Sequence, residues 1–511
     1  MPAGGISDHV VKNPELIFGI VGPIGVDIDS VVAQLEKSLS SVKYSSKTVH
    51  LTKLISDERV NCVIDDSSYF RRYESLIEYG NEFRKMAADD SAMAGVAIAK
   101  IREYRAQSTG SADTPALGNS FIVRQFKRPE EVALMRRIYG RKFILISIFG
   151  SPIERRKNIV QKIRTFDASP KNDADCETQA IKLIDMDHNQ KDNKNGQRLS
   201  EVFHLGDVFV NGSQKKQAAE TIDRFIRALF GENKASPTKD EYGLYTAAAA
   251  SLRSVDLSRQ VGAAIFTKNG EILSLGCNEV PKAHGGTYWS DEDGDDARDV
   301  EIGSDPNQDR KNEILFDLVV RLAEEGFLSQ RLTSVNDPHA QVAMILENQR
   351  FKEAQIMDII EFGRIIHAEM SAISDAARLG HATKGSVLFC TTFPCHLCAK
   401  HIVAAGIDRV VFLEPYPKSY AEKQHSDSIT FDKADEEKVL FEPFIGISPR
   451  RYRDIFEKKK RKDALGKARE WYEGEPTPLI EDKSPAYIEG EVPAIFISLR
   501  KMYTPGGGAE N

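Results

Sequence analysis

The chain has 511 residues, which is enough for two or more domains with packed cores. Its 69 basic and 76 acidic side chains give a net charge of −7, and the two signs are mixed along the sequence. This pattern argues against a protein that coats nucleic acid polymers, because such proteins usually carry a basic stripe. Six cysteines in so long a chain do not form a disulfide framework and favour a reducing cytoplasm.

The first predicted element is a buried strand that leads through a glycine turn into a helix. The apolar run 16–26 ends in the letters GPIG, and the next residues have helical spacing with Asp27 or Asp29 as N-cap. Because the run 16–26 is short and contains glycines and a proline, no secretory signal or membrane span is predicted. A strand–helix–strand unit follows over 120–149. This order predicts a parallel α/β sheet for an N-terminal domain over residues 1–235.

The glycine turn departs from the pattern of an active phosphate-binding loop. Aligned on Gly22 and Gly25, such a loop has Gly, Lys and Ser or Thr where this chain has Asp27, Ile28 and Asp29. Backbone amides at the turn can still hold an anion, so Gly22 and Gly25 are candidate nucleotide-binding residues. The missing lysine and hydroxyl predict a degenerate domain that is not a competent kinase. It would sense a ligand or partner and restrain or assemble the rest of the chain, or form an inert scaffold.

A second domain is predicted over residues 241–511, after a polar linker at 231–243. The pair Asn269-Gly270 between two apolar runs predicts a β-hairpin. A long acidic loop and a mostly helical region form an insert at about 282–362. Helix, strand, helix and strand then alternate over 367–414. The fold class is therefore α/β, with a parallel-sheet N-terminal domain and an α/β/α C-terminal domain.

One histidine and two cysteines of the C-terminal domain have the spacing of a metal site. His367 begins one predicted helix, and Cys395 and Cys398 begin the next. Zinc takes one nitrogen and two thiolates in a tetrahedral site, and three protein ligands leave the fourth position for water, as in catalytic sites. Glu369 then supplies an acid beside the metal. A structural zinc site stays open as an alternative, with a fourth ligand from His396, His401 or Cys390.

The combination His367-Ala368-Glu369 with Pro394-Cys395-His396-Leu397-Cys398 resembles the signature of zinc deaminases that act on nucleobases. This resemblance implies that zinc activates a water, and that Glu369 carries the proton first to the ring nitrogen and then to departing ammonia. Ala368, between His367 and Glu369, is a further candidate substrate-binding residue.

The stretch DLSRQVGAAIF, followed by GCNEVP, resembles the deoxycytidylate deaminases. The resemblance implies that Asn278 lies where the sugar is held. It makes Arg259 a candidate phosphate contact, because a guanidinium suits phosphate oxygens; a surface arginine ahead of a strand is the alternative. Glu279 stands where this family often has glycine.

Nearly the whole chain resembles the bacterial anti-phage cytidine deaminases, in which a P-loop-kinase-like domain is fused to a deoxycytidylate-deaminase-like domain. The stretches that carry this resemblance are FIVRQFKRPEEVALMRRIYG, FPCHLCAKHIVAAGIDRVVFLEPYPKS and FEPFIGISPRRYRDIF. The resemblance implies zinc-dependent deamination of free dCMP or dCTP in the cytoplasm, which depletes these nucleotides and starves the phage. It also implies a homo-oligomer and an inhibitory small RNA.

Two other functions stay open. A polynucleotide-editing cytidine or adenosine deaminase would use the same zinc site, but it needs a basic, aromatic channel, which the acidic composition disfavours. A non-enzymatic nucleotide sensor with a vestigial deaminase would be expected to have lost Glu369 or a zinc ligand. None of these residues is lost.

Overall fold

The computed structural model describes residues 12–54, 60–167, 172–188, 190, 193–292, 294–352, 354–416, 419–480 and 485–503. Residues 1–11 lie outside the described residues, and they belong to the N-terminal region for which no secretory signal is predicted. Pro417 and Lys418 of the PYPKS stretch also lie outside them. The chain forms two compact units, one of Met1–Glu241 with Phe444–Asn511 and one of Tyr242–Pro443. No helix among the described residues combines the length and the apolar character that crossing a membrane requires.

The strands of the described residues are β1 (Leu16–Val21), β2 (Ser45–His50), β3 (Asn119–Arg124), β4 (Phe143–Phe149), β5 (Val208–Asn211), β6 (Gly262–Phe266), β7 (Ile272–Cys277), β8 (Val387–Thr392), β9 (Arg409–Glu414), β10 (Ile429–Thr430), β11 (Val439–Pro443) and β12 (Gly446–Ile447).

The helices are α1 (Ile28–Ser41), α2 (Leu51–Leu54), α3 (Tyr69–Ala87), α4 (Ala92–Thr109), α5 (Pro129–Tyr139), α6 (Pro152–Phe166), α7 (Asp173–His188), α8 (Leu199–Phe203), α9 (Lys215–Leu229), α10 (Lys239–Ser251), α11 (Asp299–Ile302), α12 (Pro306–Glu324), α13 (Gln330–Thr333), α14 (Pro338–Glu347), α15 (Gln349–Lys352), α16 (Ala368–Leu379), α17 (His396–Ala404), α18 (Ala421–Gln424), α19 (Pro449–Phe456), α20 (Tyr487–Ser498) and α21 (Arg500–Tyr503).

The first unit is built on a sheet with the strand order β12-β5-β4-β1-β3-β2, parallel except for β12. Along β1, Leu16 and Phe18 face one hydrophobic core, whereas Ile17 and Val21 face another. This alternation buries both faces of the sheet, as parallel sheets require. The predicted parallel α/β architecture is confirmed for this unit, and Asp27 caps α1 by accepting the amide of Ser30.

The second unit has a mixed sheet with the order β10-β11-β9-β8-β6-β7. Strands β6 and β7 form the antiparallel hairpin that the Asn-Gly turn predicts, and β8 to β11 run parallel. Leu388 of β8 faces the core that α16 and α17 cover, whereas Phe389 faces Gly243 of α10. Helices therefore cover both faces, and the α/β organisation predicted for this region is confirmed.

The domain boundaries differ from the predicted ones at two places. Residues 444–511, assigned by the sequence to the second domain, lie in the first unit. The physical reason is long-range pairing, since β12 forms antiparallel bridges with β5. The predicted linker 231–243 is also shorter, because α10 already begins at Lys239. Sequence composition does not reveal the pairing of a two-residue strand.

A buried charge cluster further ties the C-terminal segment to the first unit. Arg105 is fully buried between Glu15 and Glu491, and its guanidinium donates to Glu491 at 2.6 Å. The hydroxyl of Tyr139 also donates to Glu491, at 2.8 Å. Buried charges are tolerated when they are paired in this way, and removing one partner is strongly destabilising. Helix α20 is thus held to the first unit by specific contacts.

Candidate metal and substrate site

The candidate site of the second unit lies where its parallel strands end. The carboxyl end of β8 leads into Cys395, which caps the N-terminus of α17. His367 caps the N-terminus of α16 in the same way. The carboxyl ends of strands are where open α/β sheets bind their ligands. Two helix N-termini, one of them reached from the end of β8, therefore place these side chains together.

His367, Cys395 and Cys398 form one cluster, in which the possible ligand atoms all lie within 4.8 Å of one another. The Nδ1 atom of His367 is 3.3 Å from Sγ of Cys395 and 3.4 Å from Sγ of Cys398. With Zn–S bonds of about 2.3 Å and Zn–N bonds of about 2.0–2.1 Å, tetrahedral neighbours are roughly 3.6 Å apart. The three side chains therefore fit a zinc ion in both identity and spacing.

The electrostatics of the cluster favour a thiolate at Cys395. A hydrogen bond with Cys398 lowers the pKa of Cys395 to about 4, against the cost of burial. The same contact raises the pKa of Cys398, while the hydrogen bond to Cys395 raises the pKa of His367. Since the thiolate is the form that binds metal, Cys395 is ready to act as a ligand at neutral pH.

The three candidate fourth ligands do not join this cluster within the described residues. Cys390 is buried in β8 and donates towards the carbonyl of Val411. The Nε2 atom of His396 lies 3.3 Å from Glu361, and His401 is exposed on α17. A three-ligand set leaves a position open, which is the arrangement of catalytic rather than structural zinc sites.

Glu369 lies two residues after His367, in the first turn of α16. It is only 4 % exposed, and its Oε2 lies 3.5 Å from Sγ of Cys398. Burial raises the pKa of Glu369 above its ordinary value, because desolvation disfavours the charged form. A carboxyl group with a raised pKa beside a metal cluster is suited to both accepting and donating a proton.

A cavity of about 220 Å³ opens beside the cluster. Its wall includes six of the candidate site residues that the sequence indicates, namely Arg259, Asn278, His367, Ala368, Glu369 and Cys395. Cys398 is fully buried and does not line the cavity. The structure therefore brings the candidate metal ligands, the candidate acid and the candidate substrate contacts to one cavity.

Asn278 is held firmly in the cavity wall. Its Oδ1 accepts the amide of Val261 at 2.7 Å. Its Nδ2 donates to Asp256 and to the carbonyl of Arg259, both at 2.6 Å. These bonds fix the orientation of the side-chain amide. Asn278 therefore lines the cavity and also holds in place the residues that lead into β6.

Arg259 is half-exposed at the cavity wall. Its guanidinium contacts Glu414 at 2.7 Å and the hydroxyl of Thr392 at 3.3 Å. An exposed ion pair of this kind contributes little stability. The guanidinium can therefore exchange Glu414 for an anionic group of a ligand at low cost.

Several residues of the cavity wall were not predicted from the sequence. Phe393 and Tyr416 follow the carboxyl ends of β8 and β9, and that position is a signal which could have found them. Asp305 and Asn307 come from the insert at the start of α12. No local pattern marks the insert residues, because their approach to the cavity depends on how the insert folds back.

Two residues outside the cluster position His367. Glu279 exchanges backbone hydrogen bonds with Ile366, which directly precedes His367, and its buried carboxylate accepts the amide of Val255 at 3.1 Å. Gly276 packs so closely that a Cβ there would lie 2.1 Å from the carbonyl oxygen of Ala368. Glu279 thus has a structural role beside the start of α16.

In the glycine turn of the first unit, a side chain of the same unit already accepts a backbone hydrogen bond. The amide of Ile24, between Gly22 and Gly25, donates to Oδ2 of Asp187 at 2.7 Å. Gly25 has a φ of +92°, and a Cβ there would lie 2.7 Å from the carbonyl oxygen of Arg155. Gly25 therefore cannot be replaced without strain. The carboxylate of Asp187 therefore already accepts the hydrogen bond from the backbone amide that an anionic ligand of this turn would contact.

Residues 237–414 match the family model described as the cytidine and deoxycytidylate deaminase zinc-binding region. The match spans the candidate ligands, Glu369, Arg259 and Asn278. The chain thus contains a cytidine and deoxycytidylate deaminase-like domain. Among curated proteins, no sequence matches this chain.

Solved structures with a similar fold include a dCMP deaminase from the cyanophage S-TIM5. Its apo form has 19% identity, covers 41% of this chain and 99% of that chain, and has a TM-score of 0.22. The same phage protein in complex with dCMP and dUMP has 20% identity, 41% and 98% coverage and a TM-score of 0.22.

A diaminohydroxyphosphoribosylaminopyrimidine deaminase/5-amino-6-(5-phosphoribosylamino)uracil reductase from Thermotoga maritima is also similar. It has 14% identity, covers 46% of this chain and 40% of that chain, and has a TM-score of 0.20. Likeness at this level adds nothing to the argument from the site.

Proposed function

We propose that the second unit deaminates free deoxycytidine nucleotides, dCMP or dCTP, by zinc-dependent hydrolysis to deoxyuridine nucleotides. The observation that carries this proposal is the cluster of His367, Cys395 and Cys398 beside buried Glu369, with His367, Cys395 and Glu369 in the wall of one cavity. The match of residues 237–414 to the deaminase zinc-binding region supports the same reaction class.

The reaction follows from the roles that these side chains can take. Zinc held by the three ligands would supply a water that is activated at neutral pH. Glu369 would accept a proton from this water and deliver it to the ring nitrogen beside the amino-bearing carbon, while the water oxygen adds to that carbon. The same carboxyl group would then take the second proton from the added hydroxyl and pass it to the amino group, which leaves as ammonia while the C–N bond breaks and the C=O bond forms. Water and the amino compound thus yield ammonia and the carbonyl product.

The cavity wall favours a free nucleotide over a polynucleotide. Arg259 is the only arginine or lysine among the described residues that line the cavity, so it can serve one phosphate group. The aspartates in the wall already have partners; for example, Asp299 pairs with Arg364 at 2.9 Å. A polynucleotide deaminase needs a basic track along the strand, and this cavity wall provides no such track.

Ammonia release tests the substrate class directly. The purified chain, loaded with zinc, is incubated with dCMP, dCTP, single-stranded DNA and RNA. We expect ammonia from at least one free nucleotide and none from the polymers. Release from a polymer alone would establish the polynucleotide-editing alternative, and no release in the presence of bound zinc would favour a non-enzymatic sensor.

We also propose that the first unit is a degenerate P-loop-kinase-like domain without kinase activity, which senses a ligand or partner and regulates the deaminase. Asp27 caps α1 and pairs with Lys215 at 2.8 Å, while Ile28 is buried in the core. Ile28, at the position of the phosphate-binding lysine, is therefore committed to the core, and Asp29, at the position of the magnesium hydroxyl, pairs with Arg124 instead.

The full-length chain is thus expected to transfer no phosphate from ATP to nucleoside monophosphates in the presence of Mg²⁺, because its turn lacks the lysine and the hydroxyl. Product formation is followed by chromatography of radiolabelled nucleotides. A parallel reaction with an active nucleoside monophosphate kinase checks the assay. Transfer above the rate in buffer alone would contradict this prediction.

The biological role that we propose rests on the sequence resemblance to anti-phage cytidine deaminases. In this role a cytoplasmic homo-oligomer depletes deoxycytidine nucleotides during infection, and a small RNA inhibits it beforehand. The free state of all six cysteines agrees with a reducing compartment. Measuring dCTP and dUMP in infected cells, with the chain present or replaced by an inactive variant, tests this role.

A further inference from the structure

A second cavity, of about 370 Å³, lies in the first unit. Its wall includes Gly25 after β1, His50 at the end of β2 and Arg124 at the end of β3. It therefore opens at the carboxyl ends of three parallel strands. One of them is the central strand β1, which lies between β4 and β3 in the sheet. This is the place where doubly wound sheets bind ligands, and the volume lies within the range of small-molecule sites.

The cavity wall is cationic although the chain as a whole is acidic. Five lysine and arginine side chains face two aspartates in it, whereas the chain has a net charge of −7. The residues concerned are Arg72, Arg84, Arg124, Lys127 and Lys162, with Asp29 and Asp187. Arg84 is neutralised by buried Glu131, but Lys162 forms no ion pair within the part of the chain that the structure describes. This balance favours an anionic ligand.

The anion does not enter the glycine turn, because Asp187 already lies there. Asp187 accepts the amide of Ile24 and pairs with Lys127 at 2.6 Å. Lys127 in turn donates to the carbonyl of Gly22 at 3.2 Å. The cations that are left for a ligand are Arg72, Arg124 and Lys162. Of these, Arg72 and Arg124 pair with aspartates that are 62% and 83% exposed, and such pairs exchange readily.

The remaining wall is suited to a flat ring. Tyr69 and Tyr73 lie with their ring centroids 4.6 Å apart, and Leu76, Ile77 and Met93 complete an apolar surface. Gln197 in the same wall is 8% exposed, and its side-chain oxygen has no partner among the described residues. A buried polar atom without a partner in a cavity wall indicates that a ligand or water supplies one.

We propose that this cavity binds a nucleoside monophosphate, with the base against Tyr69 and Tyr73 and the phosphate on Arg72, Arg124 and Lys162. Asp187 holds the glycine turn closed, so the phosphate is bound by side chains instead of by the turn. This inference names a ligand class for the regulatory role proposed above. It rests only on the first unit and does not depend on deamination.

Calorimetric titration of the full-length chain tests this site. Thymidine monophosphate and adenosine monophosphate are the probes, with thymidine, adenosine and inorganic phosphate as separate arms. We expect at least one monophosphate to bind more tightly than its nucleoside and than phosphate. Lys162→Gln should weaken that binding about tenfold, the effect of losing one charged hydrogen bond. Lys157→Gln removes the same charge from an exposed position of α6 outside the cavity wall and should leave binding unchanged.

A second variant tests the role of Asp187. Asp187→Asn keeps an acceptor for Ile24 but removes the negative charge, so monophosphate binding should tighten; a melting curve checks that the variant is folded. The proposal is overturned if neither monophosphate binds, if inorganic phosphate or the nucleoside binds equally well, if Lys162→Gln and Lys157→Gln behave alike, or if folded Asp187→Asn binds more weakly. Absence of ammonia release would contradict the proposed deaminase, but it would leave these binding results unchanged.

Discussion

Replacing Glu369 with alanine is expected to abolish deamination while leaving the zinc ligands and the fold in place. One carboxyl group serves both proton transfers, and general acid–base catalysis contributes roughly 10²–10⁴-fold to rate. We therefore expect ammonia release to fall by at least that factor. Binding of a non-reactive nucleotide analogue should change much less, because Glu369 acts on the reacting atoms and does not hold the sugar or phosphate.

The matched control for this variant is Asp375→Asn on the same helix. Asp375 pairs with Arg378 at 2.9 Å, and it is not part of the cavity wall. Its replacement also removes a carboxylate from α16, but activity should stay close to that of the parent chain. Parent-like turnover in purified Glu369→Ala would show that another group moves the proton, and the proposed mechanism would have to be abandoned.

Replacing Cys395 with serine is expected to remove zinc and activity together. Cys395 is the ligand with the lowered pKa, and a serine hydroxyl does not supply a thiolate. Replacing residues that only support metal ligands costs about 10–100-fold in metal affinity or activity, so the loss of a direct ligand should exceed that range. The amount of zinc per chain, measured after dialysis against a chelator, shows whether the variant still binds the metal, independently of its turnover.

Cys62→Ser provides the comparison, since Cys62 is a half-buried free thiol of the first unit. This variant should retain zinc and turnover. His367→Ala should behave like Cys395→Ser, because both residues belong to the same cluster. Full zinc occupancy in either cluster variant would mean that the ligand set has been assigned to the wrong residues.

The parts of the site that follow from local sequence were predictable. His367 and Cys395 are each the N-cap residue of a helix that an apolar period marks, and the hairpin β6–β7 follows from one Asn-Gly pair. Helix caps, strand ends and turns are decided by a few neighbouring residues. A cluster built from such positions can therefore be anticipated without a structure.

The parts that depend on distant residues were not predictable. Asp187 reaches the amide of Ile24 across 163 positions of sequence, and β12 pairs with β5 through only two residues. Asn307 of the insert lines the cavity, and its side chain forms hydrogen bonds with the backbone of Ile359 and Phe362, more than fifty positions away. None of these contacts has a periodic or compositional signal, since each arises from the packing of whole elements.

The discontinuity of the first unit has a consequence for the order in which the chain folds during synthesis. Domains usually fold from the N-terminus as they emerge, but here the first unit includes residues 444–511, which are synthesised after every residue of the second unit. Until Glu491 is translated, the buried Arg105 has only Glu15 as a carboxylate partner. The second unit can therefore reach its native state on the ribosome first, while the first unit waits for the end of the chain.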